Sequence, residues 1–417
     1  MRLDEFLEDF ERDEAAERRR LARQKSYEIT DYLEDVEQQF ESVVQGDSLF
    51  GSSAPEIFVG RTNYPQVNTG ILSPMAEASD PTDYATSGEW YRRGLDIDDV
   101  LQRRTGLLNS QRSAQVDVND VWDGFVGTQR EVAIADHAVD VEVGLDAAPD
   151  ADLQLDDIST PTGPRARAER ADLAENPHVP KPVQKTLSDD DWRAEGAMSY
   201  LYRRGFDVYE INTILSAGAL GQNAQRKLVP TRWSITAVDD AVGKFLRGGI
   251  RNARSVDEVQ VWHNEYMAND YWVILAPGDW EFELVEMKAP GSIWNPEPDG
   301  DLYYGAAHEG YEGRTGYVEE TAGAYYASRL GVLEHLTDVD RQAKALVLRY
   351  ASDAYWAPVG VWQVREGVRH AFDGDYAVAE TFHDAVQQLE PALPCDMAAL
   401  RRKSHMVSGI QASLADF

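Results

Sequence analysis

The sequence predicts an α+β fold, with mixed strands and helices in two packed bodies, an N-terminal helical arm and a flexible C-terminal tail. Three observations lead there. Period-two runs and helix-period runs follow one another without the regular strand–helix–strand repeat of a doubly wound sheet. A stretch at 145–186, rich in Asp, Pro, Ala and Thr, separates two such mixed regions and reads as a linker or long surface excursion. Apolar residues make up 43% of the chain, enough to build a real core.

The order of elements follows from local pattern. Residues 1–45 read as a helical arm, because Leu3, Phe6, Leu7 and Phe10, then Ile29, Leu33, Val36, Phe40 and Val43, recur at helical spacing. A first α+β region spans 46–144. Short strands and turns are expected from Pro55 onward, a helix at 96–110, and two period-two strands in "QVDVNDVWDGFVG" and "REVAIADHAVDVEVGLDAA". The second body, 187–395, opens with two helices split at Gly205, the first capped by Ser188 or Asp189. "WSITAVDDAVGKFLRG" and "GAYYASRLGVLEHLTDVDRQA" read as further helices, and "VQVWHNEYM", "YWVILAPGDWEFELVEMK" and "ALVLRYAS" as strands. Residues 396–417 form the tail, preceded by a short helix in "PALPCDMAALRRKSH".

Composition restricts function. The formal net charge is −33, and only eight of the 40 basic residues are Lys. An acidic, lysine-poor surface suits concentrated salt, where at roughly 1 M the screening length is about 3 Å and crowded carboxylates repel little. Such a chain has no general attraction for nucleic acid or anionic membrane. Phosphate contacts also weaken steeply as salt rises. Any work on DNA then needs a local basic island or a partner that delivers the protein. With Cys395 as the single cysteine, neither a disulfide framework nor a cysteine metal cluster is expected. The charged start lacks the apolar segment of a signal peptide, and no stretch approaches the roughly 18 apolar residues of a membrane span. A cytoplasmic protein is expected.

Four features carry candidate chemistry. The terminal "QASLADF" places Gln411, Leu414 and Phe417 three apart. In a single 3₁₀ turn those residues eclipse, so Leu414 and Phe417 would enter one apolar pocket while the Gln411 amide donates and accepts. This is the Q-x-x-h-x-x-a core of a sliding-clamp binding peptide, lacking the usual second aromatic, so modest affinity is expected. The segment "GQNAQRKLVPTRWSITAVDD" gathers Arg226, Lys227, Arg232 and Trp233 with Asp239 and Asp240 after them. It is either a phosphate- and base-contacting island or a set of internal ion pairs. "PGDWEFELVEMK" puts Glu281 and Glu283 on one strand face, followed by Glu286 and Lys288. Acid-x-Lys at a strand end is how one nuclease class holds Mg²⁺ or Mn²⁺ beside a water-activating lysine, although a solvated strand face explains the pattern as well. Eight of ten Trp lie between 192 and 362, for core packing or for stacking. The eight His show no metal-ligand spacing, and no metal or other cofactor is firmly implied.

The stretches "FVGRTNYPQVNTGILSP", "RKLVPTRWSITAVDD", "GVWQVRE" and "QASLADF" together resemble the archaeal Nre family, in its NreA branch, from about residue 54 to the end. The resemblance implies a DNA repair protein that binds the sliding clamp PCNA, with Gln411, Leu414 and Phe417 as the clamp-binding peptide. Arg61, a basic residue within the first stretch, is a further candidate for phosphate contact. The resemblance implies, for many members, a cysteine-rich zinc finger at the start, which a chain holding only Cys395 cannot form. The expectation is a clamp-recruited repair factor. The alternatives are a metal-dependent nuclease or other nucleic-acid-processing enzyme, using Glu283, Glu286 and Lys288 or Arg226, Arg232 and Asp239, and a non-catalytic adaptor.

Overall fold

The computed structural model describes residues 48–75, 80–119, 121–146 and 162–408. The expected arm at 1–45 and the peptide at 411–417 lie outside them. Those residues fall into two compact units, one up to Phe245 and the other from Leu246. The boundary lies inside the helix Thr231–Ile250, not at 186. The stretch read as a linker also contributes structure to the first unit, a strand at Arg165–Leu173 and a helix at Lys181–Ser188.

The first unit is built on a six-stranded sheet. Its strands are β1 (Ser48–Ser53), β2 (Ile57–Val59), β3 (Gln66–Pro74), β4 (Leu107–Gln115), β5 (Val139–Leu145) and β6 (Arg165–Leu173), in the spatial order β1-β5-β6-β4-β3-β2. All neighbours are antiparallel except β4 and β6. Its helices are α1 (Glu89–Arg92), α2 (Ile97–Thr105), α3 (Gly124–Ile134), α4 (Lys181–Ser188), α5 (Ala194–Arg203), α6 (Val208–Ser216) and the start of α7 (Thr231–Ile250). The period-two reading of β5 holds, with Val139, Val141, Val143 and Leu145 all buried. Of the strand expected in "QVDVNDVWDGFVG", Gln115 is the end of β4, Asp117 makes an isolated bridge to Lys227, and from Gly124 on the chain is α3, which also takes the start of the next run. Two glycines hide that helix. Gly124 has φ of 62°, and a Cβ on Gly127 would sit 2.2 Å from the carbonyl carbon of Trp122. They serve chain reversal and close approach at the expense of helix propensity. The expected helix at 96–110 stops at Thr105, and Leu107 already belongs to β4. Ser188 ends α4 and Asp189 is its C-cap, so neither caps α5.

The second unit holds β7 (Arg254–Ser255), β8 (Val259–Tyr266), β9 (Asn269–Ala276), β10 (Glu281–Lys288), β11 (Tyr303–Glu309), β12 (Arg341–Gln342), β13 (Lys344–Ala351) and β14 (Ala377–Ala379). Six form a sheet in the order β11-β10-β13-β9-β8-β14, and β7 pairs with β12. Its helices are α8 (Ala322–Asp338), α9 (Trp362–Arg369), α10 (Phe382–Leu389), α11 (Met397–Lys403) and α12 (His405–Ser408). β10 and β13 run parallel, which requires a crossover, and α8 supplies it. On one face Phe282 meets Tyr325 of α8 edge-to-face at 5.2 Å. On the other, Val285 and Met287 join a core with Ala385, Val386, Leu389 and Leu400 of α10 and α11. Covered on both faces, β10 is buried from Phe282 to Met287. The mixed elements of both units make the fold α+β.

Candidate nucleic-acid interface

In the first unit, β2 and β3 form a hairpin paired Ile57 to Ile71 and Val59 to Thr69. The chain between them turns at Asn63, whose φ of 65° a short polar side chain tolerates, and then at a cis Tyr64–Pro65 bond. Gly60 N–H donates to Asn68 O at 2.7 Å, and Gln66 N–H to Asn63 O at 2.9 Å. Val116 N–H donates to Pro65 O at 3.0 Å, tying the turn to the chain beyond β4. Thus Arg61–Gln66 stand exposed on a fixed base.

The start of α7 lies beside this turn. Pro230 precedes the helix and accepts from the N–H groups of Trp233 and Ser234 at 2.8 and 3.0 Å. Thr231 Oγ1 accepts from Val59 N–H at 3.0 Å and joins the helix start to the end of β2. Beneath, the buried Ser234 hydroxyl contacts Asn212 Oδ1 at 2.6 Å and Ser216 Oγ at 2.8 Å. This framework brings the rings of Tyr64 and Trp233 to a centroid distance of 5.3 Å, tilted by 52°, with each residue 45% exposed. Of the ten tryptophans only Trp233 is exposed; Trp90, Trp262, Trp272, Trp280 and Trp362 are core. Arg61 and Arg232, both exposed, make no ion pair among the described residues.

The rest of the basic island is engaged elsewhere. Arg226 is 3% exposed and donates to the carbonyls of Gly221 at 3.0 Å, Leu187 at 2.8 Å and Thr186 at 3.3 Å. It satisfies buried backbone, a structural use. Lys227 Nζ lies 3.3 Å from Asp117 Oδ1 at the surface. Asp239 is buried, and Asp240 pairs with Lys244 at 2.6 Å one turn along α7. Both acids lie about 10 Å up the helix from Arg232 and Trp233, at 1.5 Å per residue. Sequence reasoning does not single out Tyr64; its only signal is an aromatic between two turn formers.

The acid-x-Lys constellation does not assemble as a single site. Side chains alternate along a strand, so Glu281 and Glu283 face one way while Glu286 and Lys288 face the other. Glu283 accepts from Ser404 Oγ at 2.7 Å, His405 N–H at 2.6 Å and Met406 N–H at 2.8 Å, and so caps α12. Glu286 pairs with Arg349 at 2.5 Å and Lys288 at 3.3 Å. Arg349 in turn donates to Asn269 Oδ1 at 3.0 Å within the core. These are two buried structural networks on opposite faces of β10.

Among the described residues two groups of side chains could hold a metal ion, and neither has a sequence signature because their members come from distant segments. One is Asp136, His137 and His178, all exposed; the other is Glu281, His308 and His405. His308 Nε2 lies 3.0 Å from Glu281 Oε1, and Lys344 Nζ is 3.0 Å from Glu281 Oε2. The His308 hydrogen bond and then Lys344 hold the Glu281 carboxyl down at about 2, against the opposing effect of burial. Burial, with Asp396 and Glu390 nearby, pushes the Cys395 thiol up to about 11, so it is no nucleophile near neutrality.

Family models described as Archaeal Nre, N-terminal and Archaeal Nre, C-terminal match residues 21–295 and 309–417. The chain belongs to the archaeal Nre family. It is 65% identical to "DNA repair protein NreA" of Haloferax volcanii over the whole of both chains. To the protein of that name from Archaeoglobus fulgidus it is 39% identical over 81% of this chain and 83% of that one. To "DNA repair protein NreB" of the same organism it is 35% identical over 88% of this chain and 92% of that one. No solved structure matches the chain.

Proposed function

We propose that this protein is a cytoplasmic DNA repair factor that engages unstacked or single-stranded DNA through Tyr64 and Trp233, with Arg61 and Arg232 on the phosphates. PCNA recruits it to DNA through Gln411, Leu414 and Phe417. The observation that carries the DNA reading is an exposed ring pair, flanked in sequence by Arg61 and Arg232, which make no ion pair among the described residues, on a chain of net charge −33. The names of the relatives support a repair role.

Magnitudes explain why a tether belongs in the scheme. Stacking on aromatic side chains is worth about 1–3 kcal/mol per base, so two rings supply about 2–6 kcal/mol. That is on the order of millimolar affinity at its midpoint. Two arginines on single-stranded DNA add a salt slope of only about −1.4, at about −0.7 per phosphate, and contribute little in molar salt. A short flexible tether provides an effective concentration on the order of millimolar, enough to populate such a site. Clamp docking through apolar anchors is also strengthened by excluded salts, unlike the phosphate contacts.

The test is retention of the full chain on clamp-bearing DNA with a single-stranded gap. Tyr64→Ala with Trp233→Ala is expected to lower retention about tenfold or more while clamp binding in solution is unchanged. Equal retention of the double variant would refute the interface. The nuclease alternative has no support from Glu283, Glu286 and Lys288, whose carboxylates are committed to opposite faces of β10.

A further inference from the structure

We propose that Glu281, His308 and His405 form a site for one first-row divalent transition ion, of the kind that prefers imidazole and carboxylate ligands. The three residues come from β10, β11 and α12, and their ligand atoms all lie within 4.8 Å of one another. The Glu281 Oε1 to His308 Nε2 separation of 3.0 Å is close to that of two ligands on one ion, since bonds of about 2.0–2.1 Å at near-tetrahedral angles place the donors about 3.3 Å apart. The imidazole rings of His308 and His405 approach to a centroid distance of 4.1 Å, which places His405 beside the other two ligands.

An independent feature points the same way. Glu283, 1% exposed, receives hydrogen bonds from the Ser404 hydroxyl and the N–H groups of His405 and Met406. The buried carboxylate therefore fixes the backbone of His405 above the strand face that carries Glu281. Holding a ligand in place through an outer hydrogen-bonded carboxylate is a recurrent feature of metal sites. Lys344 now neutralises Glu281, but its side chain is 48% exposed and can swing into solvent when an ion replaces it. Two imidazoles and one carboxylate suit Zn²⁺ and Fe²⁺, and leave coordination positions open to water or a phosphate oxygen.

The experiment uses the full chain, stripped with chelator and titrated with Zn²⁺ by calorimetry, with Co²⁺ absorbance as the spectroscopic report. One ion per chain is expected, with a tetrahedral or five-coordinate Co²⁺ spectrum. His405→Ala and Glu281→Gln are expected to lower affinity at least tenfold. His178→Ala, in the exposed group of the first unit, is expected to bind as the wild type does. Melting of each metal-free variant shows whether it is folded, and Zn²⁺ should raise the melting temperature of the wild type but not of His405→Ala. Absence of saturable binding, binding indifferent to His405→Ala, or binding lost in His178→Ala would each overturn the proposal.

Discussion

Glu286 sits in the core of the second unit with both oxygens occupied by cations, Arg349 at 2.5 Å and Lys288 at 3.3 Å. Removing one partner of such a pair leaves a buried charge uncompensated, which costs about 3–5 kcal/mol. Glu286→Ala is therefore expected to lower the denaturant midpoint sharply; a midpoint equal to that of the wild type would contradict the structural role. His335 makes a pH prediction. Its ring stacks on Phe372 at 3.9 Å, and burial pushes its pKa from 6.5 down to about 4, with Asp338 opposing weakly. Folded protein thus keeps His335 neutral where the unfolded chain takes up a proton. Its contribution to stability is intact above pH 6.5 and is lost progressively as pH falls toward 4. His335→Leu is expected to reduce the drop in melting temperature between pH 7.5 and 4.5 at fixed salt, and an unchanged drop would exclude His335 as a contributor. At this scale the sequence shows residue type but not burial. Arg226 and Arg232 share one basic segment, yet one is sealed against carbonyls and the other faces solvent, because only tertiary packing decides which is covered.

Elements were legible where apolar runs or a clear period marked them and hidden where backbone needs overrode the pattern. The helix α8, the strands β8, β9 and β13 and the break at Gly205, with φ of 89°, follow from pattern and turn chemistry. β10 does not alternate, because helices cover both of its faces, and its acids were open to misreading as a catalytic row. α3 was concealed by Gly124 and Gly127, and β6 by a charged sequence in which Arg165, Arg167 and Glu169 take the exposed side. The candidate interface was half legible. Arg61, Arg232 and Trp233 are named by their chemistry, whereas Tyr64 reaches Trp233 only through the hydrogen bond that joins β2 to the start of α7. The tilted rings form an exposed step, to which a base can add by stacking without displacing a core contact. Substitution there is expected to leave thermal stability within about 0.5 kcal/mol, as at other exposed sites.

For the whole molecule, charge sets the problem that the proposed clamp docking would address. A net charge of −33 repels phosphate, and high salt removes that repulsion together with most attraction. What survives is apolar contact: the proposed stacking at Tyr64 and Trp233, and the proposed docking of Leu414 and Phe417. Deleting residues 411–417 is expected to abolish clamp binding in calorimetry while leaving the melting temperature of the body unchanged; retained clamp affinity would remove the tail from the scheme. The DNA contact is the claim most open to direct test. Irradiation of the full chain with a single-stranded oligonucleotide carrying bromouracil, followed by peptide mass spectrometry, locates the bases that touch aromatic side chains even when binding is weak. The predicted cross-links fall on Tyr64 or Trp233, and are lost when both are alanine; cross-links confined to other residues, undiminished in that variant, would contradict the account.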